Sequence, residues 1–68
     1  MTNKLFWEIV DAFENSTISI ELAIKIIAAA NDGDLDKTLD DVQLLLKGTI
    51  PNEAHDLAAE ECKLHRNN

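Results

Sequence analysis

Apolar residues recur at helical spacing in four segments of this chain, and short clusters of turn residues separate the segments. In KLFWEIVDAFEN, a step of about 100° per residue gathers Leu5, Phe6, Ile9, Val10 and Phe13 on one side of a helix. Lys4, Glu8 and Asp11 fall on the other side. The spacing predicts an amphipathic helix over residues 3–14, capped by Thr2 or Asn3 and broken at Glu14-Asn15-Ser16.

The next stretch, TISIELAIKII, fits two periods. Ile18, Ile20, Leu22, Ile24 and Ile26 alternate as in a strand, while Ile20, Ala23, Ile24 and Ile27 fall at i, i+3, i+4 and i+7 as in a helix. The helical reading is preferred. Glu21 and Lys25 form an i, i+4 pair in the favourable order, Ser19 is a good N-cap, and three alanines follow. A strand here would also lack a partner within the chain, and a lone strand is not stable. The helix is expected over residues 19–31, ending near Asp32-Gly33. Its alternation arises because it has two apolar rows, Ile18–Leu22–Ile26 beside Ile20–Ile24–Ile27. A helix apolar nearly all round is buried nearly all round. One row is therefore expected to face the protomer's own core and the other a second chain.

In the third segment Leu35, Leu39, Val42, Leu45 and Leu46 share a face, Asp36 or Thr38 is the expected cap, and Gly48 is expected to take the left-handed position after the last turn. The fourth starts at Pro51, which a first helical turn tolerates. Glu53 suits its N-terminal end, and Lys63, His65 and Arg66 suit its C-terminal end. Its apolar side is thin. Leu57 and Leu64 are the only large residues, helped by Ala54, Ala58 and Cys62, with Glu61 in the middle. This helix is expected to dock weakly or to complete its packing on a partner. The fold expected is all-α: one domain over residues 1–68, a compact bundle of about four short helices, dimeric.

Size and charge sharpen the picture. A chain of 68 residues buries only about 60% of the surface its unfolded form exposes, which makes a second copy a plausible source of stability. Cys62 is the only cysteine, so no internal disulfide forms, and a reducing, cytoplasmic setting is expected. The N-terminal MTNKLFWEIVDAFEN has acids inside its apolar stretch and no small-residue cleavage site, so a signal peptide is not expected. No apolar run approaches the roughly 20 residues that span a bilayer. Thirteen acids against six bases leave a net charge of −7. Lys4, Lys25, Lys37, Lys47, Lys63 and Arg66 are scattered and draw no basic stripe. Binding to nucleic acid or to an anionic membrane surface is therefore not expected, and basic protein surfaces are the favoured partners.

Candidate chemistry is sparse. Counted as a calcium loop from Asp32, the acids Asp34 and Asp36 fall at positions 3 and 5, but Lys37 stands where the glycine is needed and Gln43 where the glutamate is needed. The acids are better explained as a turn and a helix start. The stretch AAANDGDLDKTLDDVQLLLKG shares its alanines, Gly-Asp and leucine helix with half an ankyrin repeat. Its helix is displaced and the Thr-Pro-Leu-His opening is absent, so it is not read as one. His55, Cys62 and His65 lie on one side of the fourth helix, but the first two are about 10 Å apart along its axis, too far for one zinc ion. Cys62 and His65 could form half of a site shared with a second copy. No nucleophile motif, glycine-rich loop or tyrosine is present, so no catalytic residue, cofactor or metal is assigned and the protein is not expected to be an enzyme.

Two bulky residues fall off the core faces: Trp7 beside Asp11 and Glu14, and Leu44 among Asp40 and Asp41. With Ile18, Leu22 and Ile26 they make up the candidate interaction surface. The expectation is a small acidic helical interaction protein, acting as a homodimer or as a subunit of a complex, with inhibitor or immunity-type roles as special cases. The alternative is a dimeric DNA-binding regulator resembling the ribbon-helix-helix class, with Thr17–Leu22 as its strand. That ribbon would present Thr17, Ser19 and Glu21, none of them a good reader of base edges.

Overall fold

Thr2, Ser19 and Asp34 each turn a side-chain oxygen onto the third amide that follows. The amides of Leu5, Leu22 and Lys37 donate to Thr2 Oγ1, Ser19 Oγ and Asp34 Oδ1, each at 3.1 Å. In the computed structural model, which describes residues 1–66, these caps open α1 (Asn3–Glu14), α2 (Ile20–Ala30) and α3 (Leu35–Leu45). The fourth helix, α4 (Asn52–Arg66), starts behind Pro51, whose carbonyl accepts the His55 amide at 3.0 Å. The cap of α3 is thus Asp34, rather than Asp36 or Thr38. Thr38 lies inside the helix and is fully buried.

The first three helices end in one way. The amides of Ser16, Asp32 and Lys47 reach back to the carbonyls of Phe13, Ala29 and Leu44. The next amides, of Thr17, Gly33 and Gly48, bond to Ala12, Ala28 and Gln43. These paired bonds define the Schellman ending, whose pivotal residue is left-handed. That position is held by Ser16, Asp32 and Lys47, with φ of 61°, 54° and 61°. Gly48 therefore does not take the position expected of it. Lys47 does, and Gly48 follows at φ 136°. Holding an L-residue there costs about 1 kcal/mol. Ser16 is exposed, so Ser16→Gly should gain up to about 0.5 kcal/mol after the greater freedom of an unfolded glycine is discounted. A circular-dichroism melt should then shift upward by a few degrees. A lower melting temperature would mean that the hydroxyl makes a contact worth more than the strain.

The helices close round α2. Ile24, Ile27, Ala23 and Ala28 of α2 are fully buried, and Ile9 and Val10 of α1, Val42 and Leu45 of α3 and Ala58 of α4 complete the centre. The most extensive contact is between α2 and α4, contrary to the expectation that α4 docks weakly. Ala58 and Cys62 are buried at 0% and 2% exposure, with Ala54 and Leu57 beside them. Small residues let the α4 backbone approach closely, so a stripe poor in bulk is here a close-packing stripe. Leu64 does not belong to it and is exposed.

At the far end of the α2–α4 contact, Gly33 meets the last turn of α4. A Cβ at residue 33 would stand 2.6 Å from both the Arg66 backbone nitrogen and the Cys62 carbonyl oxygen. Between α2 and α3, Asn31 Nδ2 donates to Asp41 Oδ2 at 3.0 Å and, at 3.5 Å, to the buried Thr38 Oγ1. Helix α1 packs chiefly on α2. It runs beside α3 in the same direction, for Met1 lies near Lys37 and Asp40, Trp7 near Leu44, and Glu14 against Lys47. The Cα radius of gyration, 10.8 Å, is that of a compact globule of this length.

Candidate interaction surface

Trp7 and Leu44, picked out separately because each falls off its helix's core face, line one groove between α1 and α3. Both are exposed, Trp7 by 60% and Leu44 by 66%. Trp7 packs on its neighbour in the helix. Its ring meets Phe6 edge-on, with centroids 5.4 Å apart and planes at 70°, and Phe6 is itself anchored on the core. Val10 forms part of the floor. Lys47 Nζ bridges to Glu14 Oε2 at 3.1 Å, tying the last turn of α1 to the end of α3 and closing one end of the groove. The pair is exposed on both sides and contributes little stability by itself. It nonetheless removes the one cation at this site from competition, so Asp11 and Asp40 leave the rim acidic. The arrangement offers an apolar anchor on a preformed surface with anionic flanks.

The other candidates are elsewhere. Ile18 and Ile26 are half-buried and pack onto the core, and only Leu22 of their row is open, at 42%. The second apolar row of α2 is therefore largely covered within the protomer, because α1 and α4 flank α2 as well as α3. The Glu21–Lys25 pair expected to support α2 does not close: no nitrogen–oxygen approach within 4.0 Å joins them.

Cys62 is buried, whereas His55 and His65 are exposed, and Glu61 lies beside His65, with Nε2–Oε1 at 4.0 Å. Among the described residues no three His, Cys, Asp or Glu side chains converge as a metal site. No helix among them is long and apolar enough to cross a membrane. None of the described residues forms a strand, and Ile20 to Leu22, half of the supposed DNA-binding ribbon, open α2. The Lys47–Glu14 tie was not legible in the sequence, since nothing local marks two residues so far apart as neighbours. No family model, curated protein or solved structure is significantly similar to this chain.

Proposed function

We propose that this chain is a non-enzymatic protein-interaction module that holds a partner with a basic surface against the groove between α1 and α3. One observation carries the reading: Trp7 and Leu44, bulky residues without a core role, are brought from two helices to one acid-flanked groove. Trp is the residue most enriched among binding hot spots. With a net charge of −7, approach is steered toward basic partners. At this groove the partner is another protein rather than a second copy. A two-fold contact would bring the acidic flanks of two copies together, with Asp11 and Asp40 facing like charges. A two-fold homodimer through Leu22 is the second reading, favoured by the exposure of that one residue on α2. The lone buried thiol suits a reducing, cytoplasmic setting.

The test is retention of protein partners from a lysate of the cells of origin, by wild type and by a Trp7→Ala/Leu44→Ala variant. Both side chains are mostly exposed, so the variant should melt within a few degrees of wild type. Its affinity for the retained partner should fall about thirtyfold or more, and that partner should be lost from wild type as salt is raised. A partner held equally well by the variant would place the binding face elsewhere.

A further inference from the structure

The turn between α1 and α2 differs from the other two. Residues 15–19 contain neither glycine nor proline, whereas Gly33 lies between α2 and α3, and Gly48 and Pro51 lie between α3 and α4. Its left-handed position is held by Ser16 at φ 61°, so the turn is strained, and no residue in it forbids a straight helix. The apolar seam also runs through it. Phe6, Val10, Phe13, Ile20, Ile24 and Ile27 are spaced 4, 3, 7, 4 and 3 residues apart, and Thr17 divides the seven into four and three. Alternating steps of four and three are the repeat of a helix that packs along its whole length on another. All six are buried or half-buried, and Thr17, at the turn, is exposed. A turn of this kind does not require the helices on its two sides to keep one phase.

Straightened, residues 3–30 make one helix about 42 Å long. The bonds that close the turn, from the amides of Ser16, Thr17 and Ile18 to the carbonyls of Phe13 and Ala12, give way to ordinary ones four residues back. No backbone bond is lost, and the strain at Ser16 ends. Helix α1 is also the helix best placed to move. It packs chiefly on α2, and its ion pair to α3, Lys47–Glu14, is exposed. Yet Ile9 and Val10 are buried, with Leu5, Phe6 and Phe13 packed beside them, so α1 cannot leave without a new site for these side chains. A second copy of the chain offers an identical one.

We infer that α1 exchanges between two molecules: the turn at residues 15–19 straightens, and α1 of each copy takes the place of the other's α1. A short strained hinge is the usual setting for such a swap. The core contacts are those of the monomer, made between chains instead of within one. What opposes the dimer is the entropy of association and the repulsion of two copies of charge −7. Asn15, Ser16 and Thr17 are also indifferent helix formers, so the bent monomer holds in dilute solution. In the dimer each groove takes Trp7 from one chain and Leu44 from the other. Two such grooves in one body would hold a partner with two basic segments by avidity, although the exchange itself does not depend on what the groove binds.

The test holds the full chain at about 1 mM, in about 0.3 M salt, near its melting midpoint, then cools it and measures its mass by size exclusion with light scattering. Wild type should yield a dimer that outlasts dilution, because α1 must leave the core before the chains can part. In a dimer made from isotope-labelled and unlabelled chains, filtered NMR should show contacts between Ile9 or Val10 of one chain and Ile24 or Ile27 of the other. Ser16 is exposed, so substitutions there leave the core intact. Ser16→Gly eases the left-handed turn and disfavours the straight helix at both hinges, and should weaken the dimer at least tenfold. Ser16→Ala, a better helix former at both hinges, should strengthen it about fivefold. A wild type that stays monomeric after this treatment, a dimer whose α1–α2 contacts all lie within one chain, or equal dimer affinities for Ser16→Gly and Ser16→Ala would each overturn the inference.

Discussion

Gly33→Ala is expected to lower the unfolding free energy by about 3 kcal/mol, and two separate causes add to that figure. The backbone at residue 33 has φ +77°, where an L-side chain costs about 1 kcal/mol. The new Cβ would also stand 2.6 Å from two backbone atoms of α4 and 2.7 Å from Arg66 Cβ. Backbone atoms have no alternative rotamer, so relief requires the last turn of α4 to lift off the α2–α3 turn, weakening the packing over the buried Cys62. The comparison is Gly48→Ala, also at positive φ but with nothing within 4 Å of its Cβ. Its cost should be confined to backbone strain, about 1–2 kcal/mol. Urea denaturation of both variants separates the two causes. An equal loss at the two glycines would mean that the α4 tip yields freely and that the close approach contributes no stability.

Ile27→Ala should cost as much or more, about 3–4 kcal/mol. Ile27 is fully buried at the centre of α2, and truncating such a side chain loses transfer free energy and leaves a cavity, together about 2–5 kcal/mol. Domains have about 0.05–0.15 kcal/mol of stability per residue, so this one has roughly 3–10 kcal/mol in all, and the variant forfeits a third or more of it. Leu22→Ala, on the opposite side of the same helix, should cost less than about 1 kcal/mol, because Leu22 is 42% exposed. The pair of measurements also bears on association. If Leu22→Ala destabilises as Ile27→Ala does, and more so at high protein concentration, then Leu22 is covered in solution by a second copy.

The helices were legible in the sequence because each carries its signals locally. Thr2 and Ser19 read as caps, Glu14-Asn15-Ser16 as a stop, and the doubly periodic TISIELAIKII resolved to helix through its alanines and its missing partner strand. The failures came where the deciding contact was distant. Gly48 looked like the left-handed residue because glycine is the usual occupant, yet the closing backbone bonds of α3 set that position at Lys47, whose side chain reaches Glu14. The face of α4 looked too thin to dock, since counting large side chains measures bulk and not how closely two backbones approach. The second row of α2 reads as unpartnered because no local pattern shows that α1, α3 and α4 all flank that helix, and only Leu22 stays open. For the candidate surface, sequence marked Trp7 and Leu44 one by one as misfits, but their meeting in one groove depends on α1 and α3 running side by side in the same direction, which no local pattern encodes.

Cys62 gives the molecule a clock. It is the only thiol in the chain, buried at 2% exposure with its carbonyl beside Gly33, so a thiol reagent reaches it only through an opening of the fold around α4. When reclosing is fast relative to the chemistry, labelling proceeds at the reagent's intrinsic rate multiplied by the open fraction. A single quenched time course in native buffer thus counts those openings without denaturant, dye or any added reporter.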